Sequence, residues 1–136
     1  MYSSTTQIRV RYAETDQMKV VYYGNYATYF EVGRVELLRG LGFTYKAMED
    51  EGIIMPVVQM SLQYIRSAKY DDLLTIVSSI PKLPTDHSIT FHQQVLNEAG
   101  KLLTTGEVTL YFLEAATYQK LPMPSYLMDV LNPHYV

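Results

Sequence analysis

Cysteine and tryptophan are absent from this chain of 136 residues, and histidine occurs only three times. Without cysteine, the protein forms no disulfide, offers no thiolate nucleophile and has no cysteine ligand for a metal. Charged residues make up only 18% of the chain, and its 14 acidic residues outnumber its 11 basic ones. The basic stripe that follows a phosphate backbone is therefore missing, which argues against nucleic acid as a partner.

Long apolar runs and a targeting signal are missing too. Hydrophobic residues account for 48% of the chain, but they are interrupted too often for a membrane span, so no membrane insertion is expected. The first ten residues lack the basic start and apolar centre of a secretory signal, which favours a cytoplasmic location. The composition is too apolar for disorder and the length suits one globular domain over residues 1–136.

Several catalytic and ligand-binding patterns are also absent. No glycine-rich phosphate loop and no G-x-S-x-G nucleophile elbow occurs in the sequence. His87 and His92 are five positions apart on a predicted strand, so they face opposite sides of it and suit a metal poorly. We interpret both as ordinary strand residues.

The residues that are present predict one strand, one long helix and then four strands. Alternation in QIRVRY (7–12) predicts a strand with Ile8, Val10 and Tyr12 on one face. A helix is expected from about Val21 to Arg39, ending at Gly40 or Gly42, because apolar residues recur at steps of three and four. Its predicted buried stripe consists of Tyr26, Phe30, Gly33, Leu37 and Leu41. Glycine within this stripe predicts close contact with another backbone surface.

The second half of the chain predicts short connections and antiparallel pairing. Strands are expected within 53–66, 73–80, 87–97 and 101–114, after a short helix that ends at Gly52. Pro56 is expected at a strand start, an edge or a bulge, and Asn97 to Gly100 in a tight hairpin. A short C-terminal helix is expected with Pro124 near its first turn. The predicted fold class is α+β, an antiparallel sheet of about five strands curled around the long helix.

The stretch YAETDQMKVVYYGNY (12–26) joins acidic residues to a cluster of aromatic ones. Asp16 precedes the predicted helix, where free amide groups and the positive end of the helix dipole converge. Asp16 could simply cap this helix or its lead-in turn. The same geometry suits catalysis, in which the carboxylate attacks a carbonyl or activates water while the amides stabilise the developing charge. Tyr22, Tyr23 and Tyr26 could then exclude water and cover an acyl or aryl group.

Two other acidic residues have simpler interpretations. Glu14 is interpreted as a solvated loop charge, since glutamate is usually exposed. Glu31 and Arg34 are three positions apart on the predicted helix, so an ion pair between them is expected.

Residues 12–34 resemble the opening motif of the 4-hydroxybenzoyl-CoA thioesterase family of hot-dog-fold acyl-CoA thioesterases. That motif has Tyr-x-x-Thr-Asp, then a Val-Tyr or Val-Val-Tyr-His step, an Asn-Tyr pair and Phe-Glu-x-x-Arg. AKYDDLLTI (68–76) resembles the family's second recurring block. The resemblance implies a homodimer, often assembled into a tetramer, with active sites between subunits. It also implies that CoA takes part only as a portion of the substrate, with no metal or redox cofactor.

The same resemblance assigns roles to individual residues. Asp16 matches the family's catalytic aspartate, as nucleophile or general base. Tyr23 matches the residue whose backbone N–H contacts the thioester oxygen, so helix-start amides around Tyr22 and Tyr23 are expected to polarise the carbonyl. Asn25, Tyr26 and Glu31 match positions that shape or support the pocket.

The sequence departs from the family pattern at two places. Lys19 stands where the family commonly has glycine, and it is expected to pair with Asp16 or a substrate phosphate if the turn is preserved. LPTDHS (83–88) lacks the basic cluster that some relatives use for the CoA phosphates. Only Lys82 and His87 are nearby, and Arg66, Lys69 or Lys101 could supply positive charge instead. An acyl-carrier-protein substrate therefore stays possible beside acyl-CoA.

The sequence thus predicts a thioesterase that releases a carboxylic acid and a free thiol. One alternative is a non-catalytic acyl-thioester binding protein of the same fold. A dehydratase of this fold is less favoured, because the opening helix region has no histidine to serve as its acid or base.

Overall fold

The computed structural model describes residues 1–135. Helices are α1 (Asn25–Gly40), α2 (Tyr45–Asp50) and α3 (Ser125–Leu131), with 3-10 turns at Tyr12–Glu14 and Asn132–His134. Strands are β1 (Tyr2–Arg9), β2 (Ile53–Ile54), β3 (Val57–Tyr64), β4 (Leu73–Ile80), β5 (Ser88–Leu96), β6 (Leu102–Tyr111) and β7 (Leu113–Glu114). None of the helices in this part of the chain is long and apolar enough to cross a membrane.

The main sheet has five antiparallel strands in the order β1-β4-β5-β6-β3. Alternate residues of β4 and β5 are buried, as expected when one face of a sheet covers a core. Strands β1 and β3 are the two edges, while β2 and β7 form a separate small ribbon. The predicted antiparallel sheet of about five strands is therefore confirmed.

Helix α1 packs against the inner face of this sheet. Tyr26, Phe30, Gly33 and Leu37 are all on its buried side, as their spacing predicts. A Cβ added at Gly33 would lie only 2.5 Å from the Ser78 hydroxyl oxygen and 2.7 Å from a methyl carbon of Ile76. The close contact predicted at this glycine is confirmed, but its nearest neighbours are side-chain atoms of β4 and β5 and not a second backbone surface.

Two predicted boundaries are wrong. Strand β1 runs from Tyr2 to Arg9, and Tyr12 lies in the following 3-10 turn with 77% of its surface exposed. Helix α1 begins at Asn25 rather than near Val21. Val21 instead pairs with Thr15 in an isolated antiparallel bridge, so residues before Gly24 are held as a loop by contacts that short-range periodicity does not reveal.

The later strands lie within the predicted segments, but segments 53–66 and 101–114 each contain a short strand and a long one. Pro56 separates β2 from β3 and stands directly before an edge strand, with a register shift between Val57 and Gln59. In the hairpin between β5 and β6, the Asn97 N–H donates to the Lys101 carbonyl at 3.0 Å, and Gly100 has a φ of +79°. Pro124 directly precedes α3. These outcomes agree with the sequence because proline fixes its own φ and glycine readily adopts a positive φ, and both effects are local.

Candidate active site

Asp16 lies in a tight turn between the 3-10 turn and helix α1. The Met18 N–H donates to Asp16 Oδ1 at 2.9 Å, and the Lys19 N–H donates to the Asp16 carbonyl at 2.9 Å. The Asp16 N–H in turn donates to the Val20 carbonyl at 2.9 Å. The carboxylate therefore caps this lead-in turn and not helix α1, and Oδ2 accepts no hydrogen bond from residues 1–135.

Lys19 supplies the backbone conformation on which this turn depends. Its φ is +66°, in the left-handed region that glycine adopts at least cost. Lysine thus adopts here a conformation that suits glycine, the residue that the resemblance leads one to expect at this position. Lys19 Nζ forms no ion pair with Asp16 or with any other carboxylate of residues 1–135.

Glu14 is buried, so its interpretation as a solvated charge is wrong. Only 8% of Glu14 is exposed. Its carboxylate accepts hydrogen bonds from the Arg11 N–H and the Tyr29 hydroxyl, both at 2.9 Å, and pairs with the Arg11 guanidinium at 2.9 Å. Burial opposes ionisation, but the hydrogen bonds from Arg11 and Tyr29 outweigh it and lower the pKa of Glu14. Burial, followed by the bond to Glu14, raises the pKa of Tyr29.

The entry to helix α1 leaves two amide groups free. The Tyr22 N–H donates to the Glu14 carbonyl at 2.9 Å, so the expectation that this amide is available to a substrate is wrong. The N–H groups of Tyr23 and Gly24 donate to no acceptor in the described residues 1–135. Gly24 is the N-cap residue of the helix and provides no side-chain cap. Tyr23 therefore offers an N–H donor at the positive end of the helix.

Asp16 and Tyr23 line the same cleft, whose volume is about 240 Å³. Tyr26 and Tyr64 are also in its wall, with their ring centroids 5.6 Å apart. The Tyr26 hydroxyl accepts a hydrogen bond from the Ala68 N–H at 3.2 Å, and burial raises its pKa. The remaining wall consists of Met18, Val20, Val21, Ile65, Arg66 and Ser67. The cleft thus combines an acidic group, a free amide and aromatic surface.

Four residues predicted for the site lie outside this cleft. Lys19 is in the turn beside it, and the exposed Tyr22 ring packs against Tyr23 with centroids 4.6 Å apart. The Asn25 side chain donates to the Glu14 carbonyl at 2.8 Å, which gives it a supporting position. Glu31 is exposed on α1.

The expected ion pair between Glu31 and Arg34 does not form. Arg34 is buried on the sheet-facing side of α1, with 3% of its surface exposed. Its guanidinium donates to Gln93 Oε1 at 3.0 Å, and Gln93 also bonds the Phe30 carbonyl and the Ser78 hydroxyl. Packing against the sheet therefore decides the partner of Arg34, and its helical neighbour does not.

A larger cavity of about 590 Å³ lies at the β4–β5 loop and the outer sheet face. It includes Glu107, whose carboxylate pairs with His92 Nε2 at 2.8 Å. His87 precedes β5 rather than lying on it, and its Nδ1 is 3.0 Å from Asp86 Oδ2. We favour the smaller cleft as the site because Asp16 and Tyr23, the two residues that the family resemblance assigns to the reaction, both line it.

The second wall of the cleft is not predicted by the sequence pattern. This wall consists of Tyr64, the last residue of edge strand β3, and residues 65–67, which directly precede the block 68–76 that resembles the family. The Val21 N–H donates to the Ala68 carbonyl at 2.8 Å and joins this wall to the first one. Their position directly before that block could have indicated that these residues line the site. Arg66 contributes to the wall, whereas Lys69 and Lys101 do not line the cleft.

A carboxylate and a free amide in one cleft can act on a carbonyl compound. The carboxylate can attack the carbonyl carbon or remove a proton from water, and the amide can donate to the carbonyl oxygen as it gains charge. The aromatic wall can exclude water and pack against an apolar group.

Comparisons with known proteins agree with this chemistry. The family described as Thioesterase-like superfamily matches residues 10–131. The Bacillus subtilis (strain 168) protein YneP is 37% identical over 102 residues, which cover 75% of this chain and 73% of YneP. Acyl-CoA thioester hydrolase YbgC of Escherichia coli O157:H7 is 30% identical over 117 residues, covering 86% of this chain and 87% of YbgC.

The fold of this chain is similar to a solved structure over almost its whole length. The DHNA-CoA thioesterase from Staphylococcus aureus has a TM-score of 0.90 and 36% sequence identity, with 98% of this chain and 89% of that chain covered. The five-stranded sheet around α1 is the hot-dog fold that residues 12–34 lead one to expect. The chain therefore belongs to the thioesterase-like superfamily.

Proposed function

We propose that this protein hydrolyses an acyl-CoA or acyl-carrier-protein thioester to a carboxylic acid and a free thiol. The observation that carries the proposal is the shared cleft of Asp16, with one carboxylate oxygen free of partners, and Tyr23, with a free N–H. The name of YbgC, an acyl-CoA thioester hydrolase, supports the reaction class.

Asp16 acts on the thioester by one of two routes. As general base, it takes a proton from water while the hydroxyl oxygen adds to the carbonyl carbon, and the C–S bond then breaks to release the thiolate. As nucleophile, its oxygen displaces the thiolate directly and forms a mixed anhydride, which water hydrolyses to the acid and regenerates the carboxylate. Either route ends with protonation of the thiolate to the thiol.

Tyr23 stabilises the reaction through its backbone. As the carbonyl carbon becomes tetrahedral, its oxygen gains negative charge, and the Tyr23 N–H donates to it. One well-aimed donor of this kind contributes about 3 to 4 kcal/mol to the transition state. Because the cleft is half enclosed by the rings of Tyr26 and Tyr64, water competes less for the oxygen.

The cleft receives the thioester group and the acyl chain. Its volume of about 240 Å³ is below the roughly 300 to 1,000 Å³ of sites that enclose a whole drug-sized ligand, so the nucleotide part of CoA lies outside it. Tyrosine rings suit an aryl or a short or branched alkyl group. Arg66 in the wall and Lys19 beside it are the basic groups available to the carrier phosphates.

The proposal includes assembly into a homodimer or a dimer of dimers. Strand β3 is an edge of the sheet, and Val57, Val58 and Tyr64 on it are between 45% and 47% exposed. An open edge with exposed apolar side chains favours pairing with a second chain. Light scattering on the protein as it elutes from a size-exclusion column measures the mass of the assembly directly.

The experiment is thiol release from short, medium, branched and aryl acyl-CoA thioesters, with the wild type and Asp16→Asn side by side. Asparagine keeps the size of the side chain and removes the carboxylate, so we expect turnover to fall by about 1,000-fold. Asp129→Asn, on the exposed face of α3, is the matched control and is expected to retain wild-type turnover. Circular dichroism and elution volume check that fold and assembly persist.

Three results would contradict the proposal. An Asp16→Asn variant with full activity would remove Asp16 from the mechanism. Saturable binding of acyl thioesters by the wild type, without thiol release from CoA or carrier-protein substrates, would favour a non-catalytic binding protein. Dehydration of a 3-hydroxyacyl thioester would assign a different reaction to the cleft.

A further inference from the structure

Glu14, the last residue of the 3-10 turn and two positions before Asp16, accepts hydrogen bonds on both of its carboxylate oxygens. Its Oε1 accepts the Arg11 N–H and the Tyr29 hydroxyl, and its Oε2 accepts Arg11 Nη2 at 2.9 Å and Nε at 3.2 Å. Tyr29 is 1% exposed on the buried side of α1. The carboxylate therefore joins the start of the loop to the core of the helix, and each of its oxygens accepts two donors.

The backbone carbonyl of Glu14 makes a second set of contacts. It accepts the Tyr22 N–H at 2.9 Å and Asn25 Nδ2 at 2.8 Å. Tyr22 directly precedes the residue whose N–H is free, and Asn25 is the first residue of α1. One residue thus bonds to both ends of the helix entry, on either side of Tyr23.

These contacts set the position of the two reacting groups relative to each other. Asp16 follows Glu14 by two residues, and the bridge between Thr15 and Val21 closes the loop between them and the helix entry. If Glu14 lost its contacts, the Asp16 carboxylate and the Tyr23 N–H could shift independently. A misplacement of about 1 Å can reduce a rate by about 100-fold.

We propose that Glu14 is a positioning residue that holds Asp16 and the Tyr23 N–H at a fixed separation. This inference rests on the proposed thioester hydrolysis. Glu14 touches no reacting atom, so its loss should lower kcat and leave KM nearly unchanged, because the walls that bind the acyl group stay in place. A residue that only stabilised the fold would lower the amount of active enzyme and leave kcat per folded molecule unchanged.

The experiment compares Glu14→Ala, Glu14→Gln and Asp16→Asn with the wild type in the thiol-release assay. We expect Glu14→Ala to lower kcat by about 10- to 100-fold with KM within about twofold. Glu14→Gln should recover part of this loss, since its amide oxygen can still accept the Arg11 N–H and the Tyr29 hydroxyl. Glu49→Gln, an exposed glutamate on α2, is the matched control and should behave as the wild type.

Folding is checked by circular dichroism and by a melting temperature well above the assay temperature. If Glu14→Ala does not fold, Tyr29→Phe replaces it, because that change removes one hydroxyl donor to Glu14 and keeps the ring. Tyr29→Phe is expected to lower kcat by about three- to tenfold. Folded Glu14→Gln and Tyr29→Phe variants that both have wild-type kcat would overturn the proposal.

The two proposals fail in different ways. Activity that depends on Asp16 but is unchanged in folded Glu14→Ala would refute the positioning role alone. Wild-type activity that survives Asp16→Asn would refute the proposed mechanism and the positioning role with it. A rise in KM equal to the fall in kcat/KM, at constant kcat, would make Glu14 a substrate-binding support and would also overturn the positioning role.

Discussion

Replacing Lys19 with glycine should make the protein more stable, even though glycine usually weakens a fold. A residue other than glycine in the left-handed region costs about 1 to 2 kcal/mol, and Lys19 has a φ of +66°. Glycine loses more backbone entropy on folding, which costs about 0.5 to 1 kcal/mol. The difference predicts that Lys19→Gly stabilises the fold by about 0.5 to 1 kcal/mol, or roughly 2 to 5 °C in Tm.

Lys19→Ala is the matched control, because it removes the ammonium group but keeps a Cβ at the same positive φ. Its Tm should stay below that of Lys19→Gly when both are measured by thermal unfolding at one protein concentration. A Lys19→Gly variant that melts at or below the wild-type temperature would refute the argument from backbone strain.

The same two variants report on the ammonium group of Lys19. Since Lys19 has no ion-pair partner within residues 1–135, we expect turnover to be retained or improved in Lys19→Gly. A rise in KM for acyl-CoA in both variants, with kcat retained, would show that the ammonium contacts the carrier phosphates, for which it is available. A loss of turnover in only one of the two variants would show that the backbone at this position, and not the ammonium group, is responsible.

Two further predictions concern packing and pH. Gly33→Ala should destabilise the protein by about 1 to 2 kcal/mol in chemical denaturation, because overpacking against Ser78 and Ile76 exceeds the helix-propensity gain of about 1 kcal/mol. Gly40→Ala, at the exposed end of α1, should not destabilise it. The pKa of Glu14 is lower in the folded protein than its ordinary value of 4.5. Glu14 therefore stabilises the fold at any pH above 4.5, and this stabilisation is lost as the pH falls through the pKa of the folded state. Denaturation at pH 7 and pH 3 should therefore show a smaller difference for Glu14→Gln than for the wild type; an equal difference would contradict this.

The parts of the fold that sequence predicts well depend on neighbours close in the chain. The stripe from Tyr26 to Leu37 repeats at helical spacing, and the turn at Asn97 requires only its own four residues. Such patterns are local, so a single sequence is sufficient to interpret them. The motif in residues 12–34 added the approximate position of the site.

The errors arose where a contact joins distant parts of the chain. Burial of Glu14 depends on the Tyr29 hydroxyl, 15 positions away, and the partner of Arg34 is Gln93, 59 positions away. The prediction for Glu14 used the average exposure of glutamate, and the predicted ion pair between Glu31 and Arg34 used helical spacing. Both describe an isolated segment. Tertiary contacts changed the outcome in each case, and they also moved the helix start to Asn25 through the Glu14 carbonyl.

The far wall of the cleft continues from strand β3 at an edge of the sheet, so pairing of a second chain at this edge would couple self-association to ligand binding. Tyr64 is the last residue of β3 and contacts Tyr23 and Tyr26 through ring centroids 6.2 and 5.6 Å apart. A second chain that pairs with β3 would order the same strand end that a ligand orders. Ligand affinity and self-association would then strengthen each other by an equal factor. The abundance of the protein would thereby set how strongly it responds to a dilute substrate.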